Sequence, residues 1–249
     1  MDGTAFWIAA LIASALVGLS KGGLPMIGML AVPVLSLVIS PVTAAGLLLP
    51  VFVVSDLFGL WAWRKAFDAR VLRIVVSGAA AGIGIGWATA SLVPEAAVTL
   101  LVGVIGLVFA ANTLLRRRPE GPPRPARVGP GLFWGTIAGF TSFVSHAGAP
   151  PFQVYVLPLR LEKTVFAGTA TIAFALINAM KLIPYWFLGQ LNPQNLRVAA
   201  ILFLPAVIAV FAGIRLVRWL PEKLFYRLVI WSLLAISVRL VHDGLTGLL

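Results

Sequence analysis

Apolar runs separated by short polar breaks follow one another along almost the whole chain. In the first half they fall at about 5–19, 24–40, 42–63, 71–92 and 95–115. Runs such as 72–92 and 96–115 are nearly uniformly apolar, which predicts helices, since strands of a membrane barrel would alternate in polarity. The pattern predicts an all-α polytopic membrane protein whose solvent is the lipid bilayer. No polar block is long enough to fold alone, so one transmembrane structural domain is expected.

The second half repeats the first. An offset of 125 residues matches Ser20 with Ser145, Gly23 with Gly148, Pro25 with Pro150 and Pro33 with Pro158, and sets Lys21 on His146. An offset of 122 then pairs Gly46 with Gly168, Asp56 with Asn178 and Trp63 with Tyr185. An offset of 127 pairs Arg70 with Arg197, Gly86 with Gly213, Pro94 with Pro221 and Glu95 with Glu222. The matches keep one order with small gaps, as a duplicated unit does. The expected organisation is a first transmembrane repeat over 1–115, a basic cytoplasmic linker over 116–129 and a second repeat over 130–249, each repeat of about five helical segments.

The leading runs of each half are short. Runs 5–19 and 131–144 hold about 15 apolar residues and run 149–159 about 11, below the roughly 20 needed to span. They predict half-depth, broken-helix hairpins with tips at Ser20-Lys21-Gly22-Gly23-Leu24-Pro25 and Ser145-His146-Ala147-Gly148-Ala149-Pro150. At each tip a helix is expected to restart after glycine with proline in its first turn. Each repeat is expected to cross the membrane an odd number of times, whether its first two runs are full spans or a hairpin, so the two repeats have inverted topology. The hairpins then enter from opposite faces and bring Lys21 and His146 towards one midplane site.

Composition sharpens the class. Of 249 residues, 60% are hydrophobic and 11% charged, with a mean hydropathy of +1.02, which excludes a soluble globular domain. The net charge of +11 comes from basic residues beside apolar runs. Arg64, Lys65, Arg70, Arg73, the linker arginines, Arg160, Lys163, Arg215, Arg218, Lys223 and Arg227 fall on one side, which the positive-inside rule makes cytoplasmic, with both termini outside. No nucleic-acid partner is expected. The first run lacks a basic n-region and is expected to be a retained helix. The absence of cysteine excludes disulfides, thiolate metal sites and cysteine nucleophiles.

Charged residues inside apolar runs carry the candidate chemistry. A helix start that leaves N–H groups free, glycine that admits a ligand to the backbone, and Lys21 as a point charge together suit a small oxyanion. Ser20, Lys21, Gly22, Gly23, Ser145, His146, Gly148, Asn178 and Lys181 are the candidate substrate-binding residues. Alternatives stand beside several of them. Gly22, Gly23 and Gly148 would also serve close helix packing. Lys21 would also be neutralised by Asp56, and Lys181, three residues after Asn178, would snorkel to an interface. Asp56 and His146 are the candidates for proton coupling. Tyr185, Trp61 and Trp63 are expected in the interfacial aromatic belt. With His146 and His242 the only histidines, no metal centre is expected, and no acid completes a triad with Ser145 and His146. The chain is not expected to be an enzyme, and no cofactor is implied.

These motifs resemble a known family. Gly18-Leu19-Ser20-Lys21-Gly22-Gly23, Leu30-Ala31-Val32-Pro33, Leu49-Pro50 and Asp56, with Ser145 to Pro151, Gly168-Thr169 and Asn178-Ala179-Met180-Lys181, are similar to the TauE/SafE sulfite exporter family, also called toluene sulfonate uptake permeases. The resemblance implies transport of sulfite, sulfonates or related small sulfur-containing anions across the bacterial inner membrane. Sulfur specificity comes from the resemblance alone. A carboxylate or inorganic anion, or a non-transporting assembly subunit, fits the residues as well.

Overall fold

The computed structural model describes residues 3–90, 92, 94–115 and 123–248. Among them are ten α-helices and no strand: α1 (Thr4–Lys21), α2 (Ala31–Ser36), α3 (Pro41–Trp63), α4 (Ala69–Ala88), α5 (Glu95–Leu115), α6 (Val128–Ser145), α7 (Ala149–Val156), α8 (Lys163–Phe187), α9 (Pro193–Trp219) and α10 (Glu222–Leu248). Single 3-10 turns at Ile27–Leu30 and Leu157–Leu159 adjoin α2 and α7. Seven helices are long and apolar enough to cross a membrane: α1, α3, α4, α5, α8, α9 and α10. The protein is a multi-pass membrane protein.

Local chemistry explains the helix starts. The Ser40 hydroxyl accepts from the Thr43 N–H at 3.3 Å, and Pro41 opens α3. Asp68 accepts from the N–H groups of Arg70 and Val71, both at 2.9 Å, at the start of α4. Asn192 accepts from the Asn195 N–H at 2.9 Å ahead of Pro193, which opens α9. Each is a side-chain cap on otherwise idle donors, two of them with the fixed φ of proline behind the cap.

The first arms of the two hairpins are longer than expected. Both α1 and α6 have 18 residues, or about 27 Å of helix, against expected runs of 5–19 and 131–144. Ser20 and Lys21 continue α1 as its last turn, because a lysine there favours the negative end of the helix dipole. The second arms are short, with six residues in α2 and eight in α7. Residues 116–122 of the expected linker lie outside the described residues. Its described end, 123–127, is non-helical, with the Arg124 N–H donating to the Pro158 carbonyl and the Tyr155 hydroxyl to the Arg127 carbonyl at 3.1 Å.

Contacts divide the chain into two compact units, each drawn from both halves of the sequence. Met1–Phe67 and Thr164–Leu220 form the first, and Asp68–Lys163 and Pro221–Leu249 the second. In the first unit α1 and α9 run parallel. The Ser14 hydroxyl donates to the Leu202 carbonyl at 2.8 Å, Gly18 meets Ala206 and Ala209, and Gly22 meets Val210 and Gly213. The second unit pairs α4 with α6, also parallel. There Gly78 meets Leu132, Gly82 meets Thr136 and Phe140, and Gly86 meets Phe143, while Gly131, Gly135 and Gly139 press on Ile74, Val75 and Ala79. Small residues every fourth position let the backbones touch, the packing that works where lipid removes any hydrophobic drive between helices.

Also in the second unit, α5 and α10 pack antiparallel. Ala96 meets Gly247, Leu100 meets Gly244, Gly103 meets Val241 and Gly106 meets Ser237, so one index rises as the other falls. At the sequence offsets of 125 and 127, α1 aligns with α6, α4 with α9 and α5 with α10.

Candidate functional site

The first unit buries a cluster of ionic and polar side chains. Lys21 ends α1, and the Gly22 N–H closes onto the Gly18 carbonyl at 3.0 Å. Gly23 then takes φ +113°, a conformation only glycine adopts without strain, and turns the chain away. The Lys21 Nζ lies 2.8 Å from Asp56 Oδ1, with both side chains about 95% shielded at 4% and 5% exposure. Asp56 Oδ2 accepts from Asn178 Nδ2 at 2.8 Å. The ion pair with Asp56, one of the two roles open to Lys21, is present.

Two aromatic rings complete the seat of the ammonium. Nζ of Lys21 stands 5.0 Å from the Phe52 ring centre and 6.0 Å from that of Phe174, within cation–π range. The Thr171 hydroxyl donates to the Lys21 carbonyl at 3.4 Å. Phe52 precedes Asp56 by four residues, and Phe174, Asn178, Lys181 and Tyr185 follow the stripe of a single face of α8. That spacing was the available signal for the two phenylalanines, which pattern alone reads as core.

Lys181 does not snorkel. It is fully buried, 6.0 Å from the Tyr185 ring centre, and close enough for its charge to act on both Asp56 and Lys21. Trp63 and Tyr185 are also buried, not in an aromatic belt, whereas Trp61 is exposed. Trp63 fills the space beneath Gly23 and Gly168, with the Arg218 guanidinium 6.0 Å from its ring centre. Among the described residues of this unit, the buried acidic and basic side chains are two lysines and one aspartate.

The two tips differ in build. After Gly23 no helix restarts at once. Pro25 disfavours helix at Leu24, a 3-10 turn begins at Ile27, and α2 waits until Ala31. Gly22 faces the α9 backbone, so its small size serves packing there. Ser20 donates its hydroxyl to the Val17 carbonyl at 2.6 Å.

In the second unit the expected restart is present. Gly148 caps α7, and Pro150 and Pro151 sit in its first turn. Ser145 ends α6 and donates to the Thr141 carbonyl at 3.3 Å. His146 takes a left-handed conformation, φ 54° and ψ 21°, uncommon outside glycine, and is buried. The N–H groups of His146 and Ala147 close onto the carbonyls of Ser142 and Thr141 at 3.1 and 3.2 Å. The structure thus joins Lys21, Asp56, Asn178 and Lys181 in one unit and Ser145, His146 and Gly148 in the other. Among the described residues no group of three or more His, Asp or Glu could hold a metal ion.

Seven potential spans, broken short helices and charges buried at lipid-excluded positions define a membrane transporter. The chain belongs to the sulfite exporter TauE/SafE family, whose model matches residues 7–240, nearly its whole length. No curated protein and no solved structure is significantly similar to it.

Proposed function

We propose that the protein is a secondary transporter that exports sulfite or small organosulfonate anions across the bacterial inner membrane. The observation that carries this is the buried ion pair of Lys21 and Asp56 with Lys181 close by, in a chain of the sulfite exporter family. A small oxyanion that takes the place of the carboxylate meets the Lys21 ammonium as a charge and the Asn178 N–H groups as donors, with Lys181 on the same face of α8. Asp56 holds the Lys21 ammonium between transport events, as a carboxylate that the substrate displaces.

Ser20, Gly22 and Gly23 hold the first tip in shape around this seat, and Ser145, His146 and Gly148 provide the substrate contacts of the second hairpin. The two repeats have inverted topology, with both termini outside, and alternate access to a midplane site by rocking. The antiparallel run of α5 against α10 and the seams α1–α9 and α4–α6 support that arrangement. An inside-negative potential of 100 mV favours exit of an anion by about 2.3 kcal/mol per charge, so export needs no coupling ion. If protons are coupled, Asp56 and His146 carry them.

Proteoliposomes loaded with labelled sulfite, sulfoacetate or a carboxylate such as acetate test the proposal. Potential-driven efflux of the sulfur anions above that of acetate is expected. Equal efflux of acetate would move the protein to the carboxylate permeases, and no efflux of any anion would leave it a non-transporting subunit. Efflux indifferent to a pH gradient would remove Asp56 and His146 as proton carriers.

A further inference from the structure

We infer that Gln153 is a substrate-contacting residue of the second hairpin, its side-chain amide donating N–H groups to the transported oxyanion. The inference rests on the transporter assignment proposed above and adds a residue to it. Gln153 lies in α7 and is fully buried, yet neither Oε1 nor Nε2 has a hydrogen-bond partner. Buried amides are almost always satisfied, and one idle at both ends calls for an occupant that supplies the missing partners.

Three observations direct the amide towards the tip. Gln153 follows Ala149, the first residue of α7, by one turn, so both share a helical face. Its Cα–Cβ bond tilts towards the start of the helix, where Gly148, His146 and Ser145 lie. Repeat register gives the third. At the offset of 125 that pairs Ser20 with Ser145, Gln153 corresponds to Gly28. A Cβ built on Gly28 would fall 2.7 Å from the Ser20 Oγ, so that backbone position faces the serine of its own tip. The first hairpin closes this space by pressing glycine against serine. At the corresponding place the second hairpin carries an amide.

The surroundings favour a polar visitor. Pro150, three residues earlier on α7, packs beside Gly106 and Ser237, and the buried Ser237 hydroxyl is likewise without a partner. A neutral amide adds no charge of its own. It suits a ligand that brings one, with Nε2 donating to an oxyanion oxygen and Oε1 accepting from a protonated oxygen or a water carried with the anion.

The test is labelled sulfite transport by full-length protein in proteoliposomes, with thermal unfolding of the same variants with and without sulfite. Gln153→Met removes the idle amide at similar volume. It is expected to unfold at a higher temperature than wild type and to raise KM for sulfite by about tenfold or more, the scale of one hydrogen bond to a charged group. Gln153→Glu, nearly isosteric, is expected to abolish stabilisation by sulfite, because the carboxylate repels it. A wild-type KM in Gln153→Met, or sulfite stabilisation retained in Gln153→Glu, would overturn the inference. So would a lower unfolding temperature for Gln153→Met, which would mean that the protein itself satisfies the amide. If Lys21→Met abolishes flux while Gln153→Met keeps the wild-type KM, the transporter assignment stands and this inference falls. If wild type moves no sulfite, the assignment itself falls.

Discussion

Asp56 and Asn178 hydrogen bond to each other at 2.8 Å, and they stand 122 residues apart, the offset that superposes the third segment of one half on that of the other. The two side chains that meet are close in shape and differ by one charge. An aspartate opposite an aspartate would leave two carboxylates for Lys21; the asparagine leaves one, matched by a single ammonium at 2.8 Å.

Replacing Asp56 by asparagine keeps the shape and removes the charge. Lys21 is then buried without its counter-ion, which is expected to destabilise the protein by about 3–5 kcal/mol. Sulfite should restore part of that loss, since a ligand bound only by the native state raises its stability. Thermal unfolding across a sulfite titration checks this, and stabilisation should set in at a lower sulfite concentration than in wild type.

Removing both partners separates stability from function. Lys21→Met with Asp56→Leu replaces a buried ion pair by apolar side chains of similar volume, an exchange that is often neutral or stabilising. Because the Asn178 amide loses its acceptor, the double variant is expected to unfold above Asp56→Asn but no higher than wild type, and to show no response to sulfite. Calorimetry in detergent reads both quantities.

Two neighbouring glycines of α4 should behave oppositely. A Cβ at Gly82 would overlap the Thr136 carbonyl and meet the Phe140 nitrogen at 2.7 Å, whereas Gly84 faces open space. Gly82→Ala is expected to push α4 off α6 and cost roughly 1–3 kcal/mol, as overpacking against backbone does. Gly84→Ala should gain roughly 0.5–1 kcal/mol from helix entropy. Equal stabilities for the two variants would contradict the α4–α6 seam.

The chain has no cysteine, so introduced pairs report distance without background. A Cβ at Gly247 would lie 2.9 Å from that of Ala96, below the roughly 3.5–4.5 Å of a disulfide, so the two helices need to part by less than about 1 Å to be bridged. Ala96→Cys with Gly247→Cys is expected to cross-link on mild oxidation, and Ala96→Cys with Glu222→Cys, at the other end of α10, is not. Gel mobility after oxidation decides.

How much of this was legible in the chain follows from where charges sit. Lys21 and Asp56 stand out because ionisable groups are rare in apolar runs, and their pairing is the cheapest way to bury both. The α7 restart was equally plain, since glycine and two prolines mark a helix start. Packing between distant segments was not. That α1 lies against α9 depends on glycines whose partners are some 190 residues away, and nothing local distinguishes a packing glycine such as Gly22 from a ligand-admitting one. Trp63 and Tyr185 read as belt residues because aromatic side chains near segment ends usually are; in the structure Trp63 packs against Gly23 and Gly168 and Tyr185 beside Lys181. A lone glutamine in an apolar run carries no charge to draw attention, so Gln153 emerges only from its unpaired atoms.

The most direct test of the central claim is potential-driven efflux of labelled sulfite from proteoliposomes containing wild type or Lys21→Met, each verified as folded by its unfolding transition. Loss of efflux in Lys21→Met to the level of empty liposomes is the predicted result. Wild-type efflux from that variant would contradict an anion seat built on Lys21.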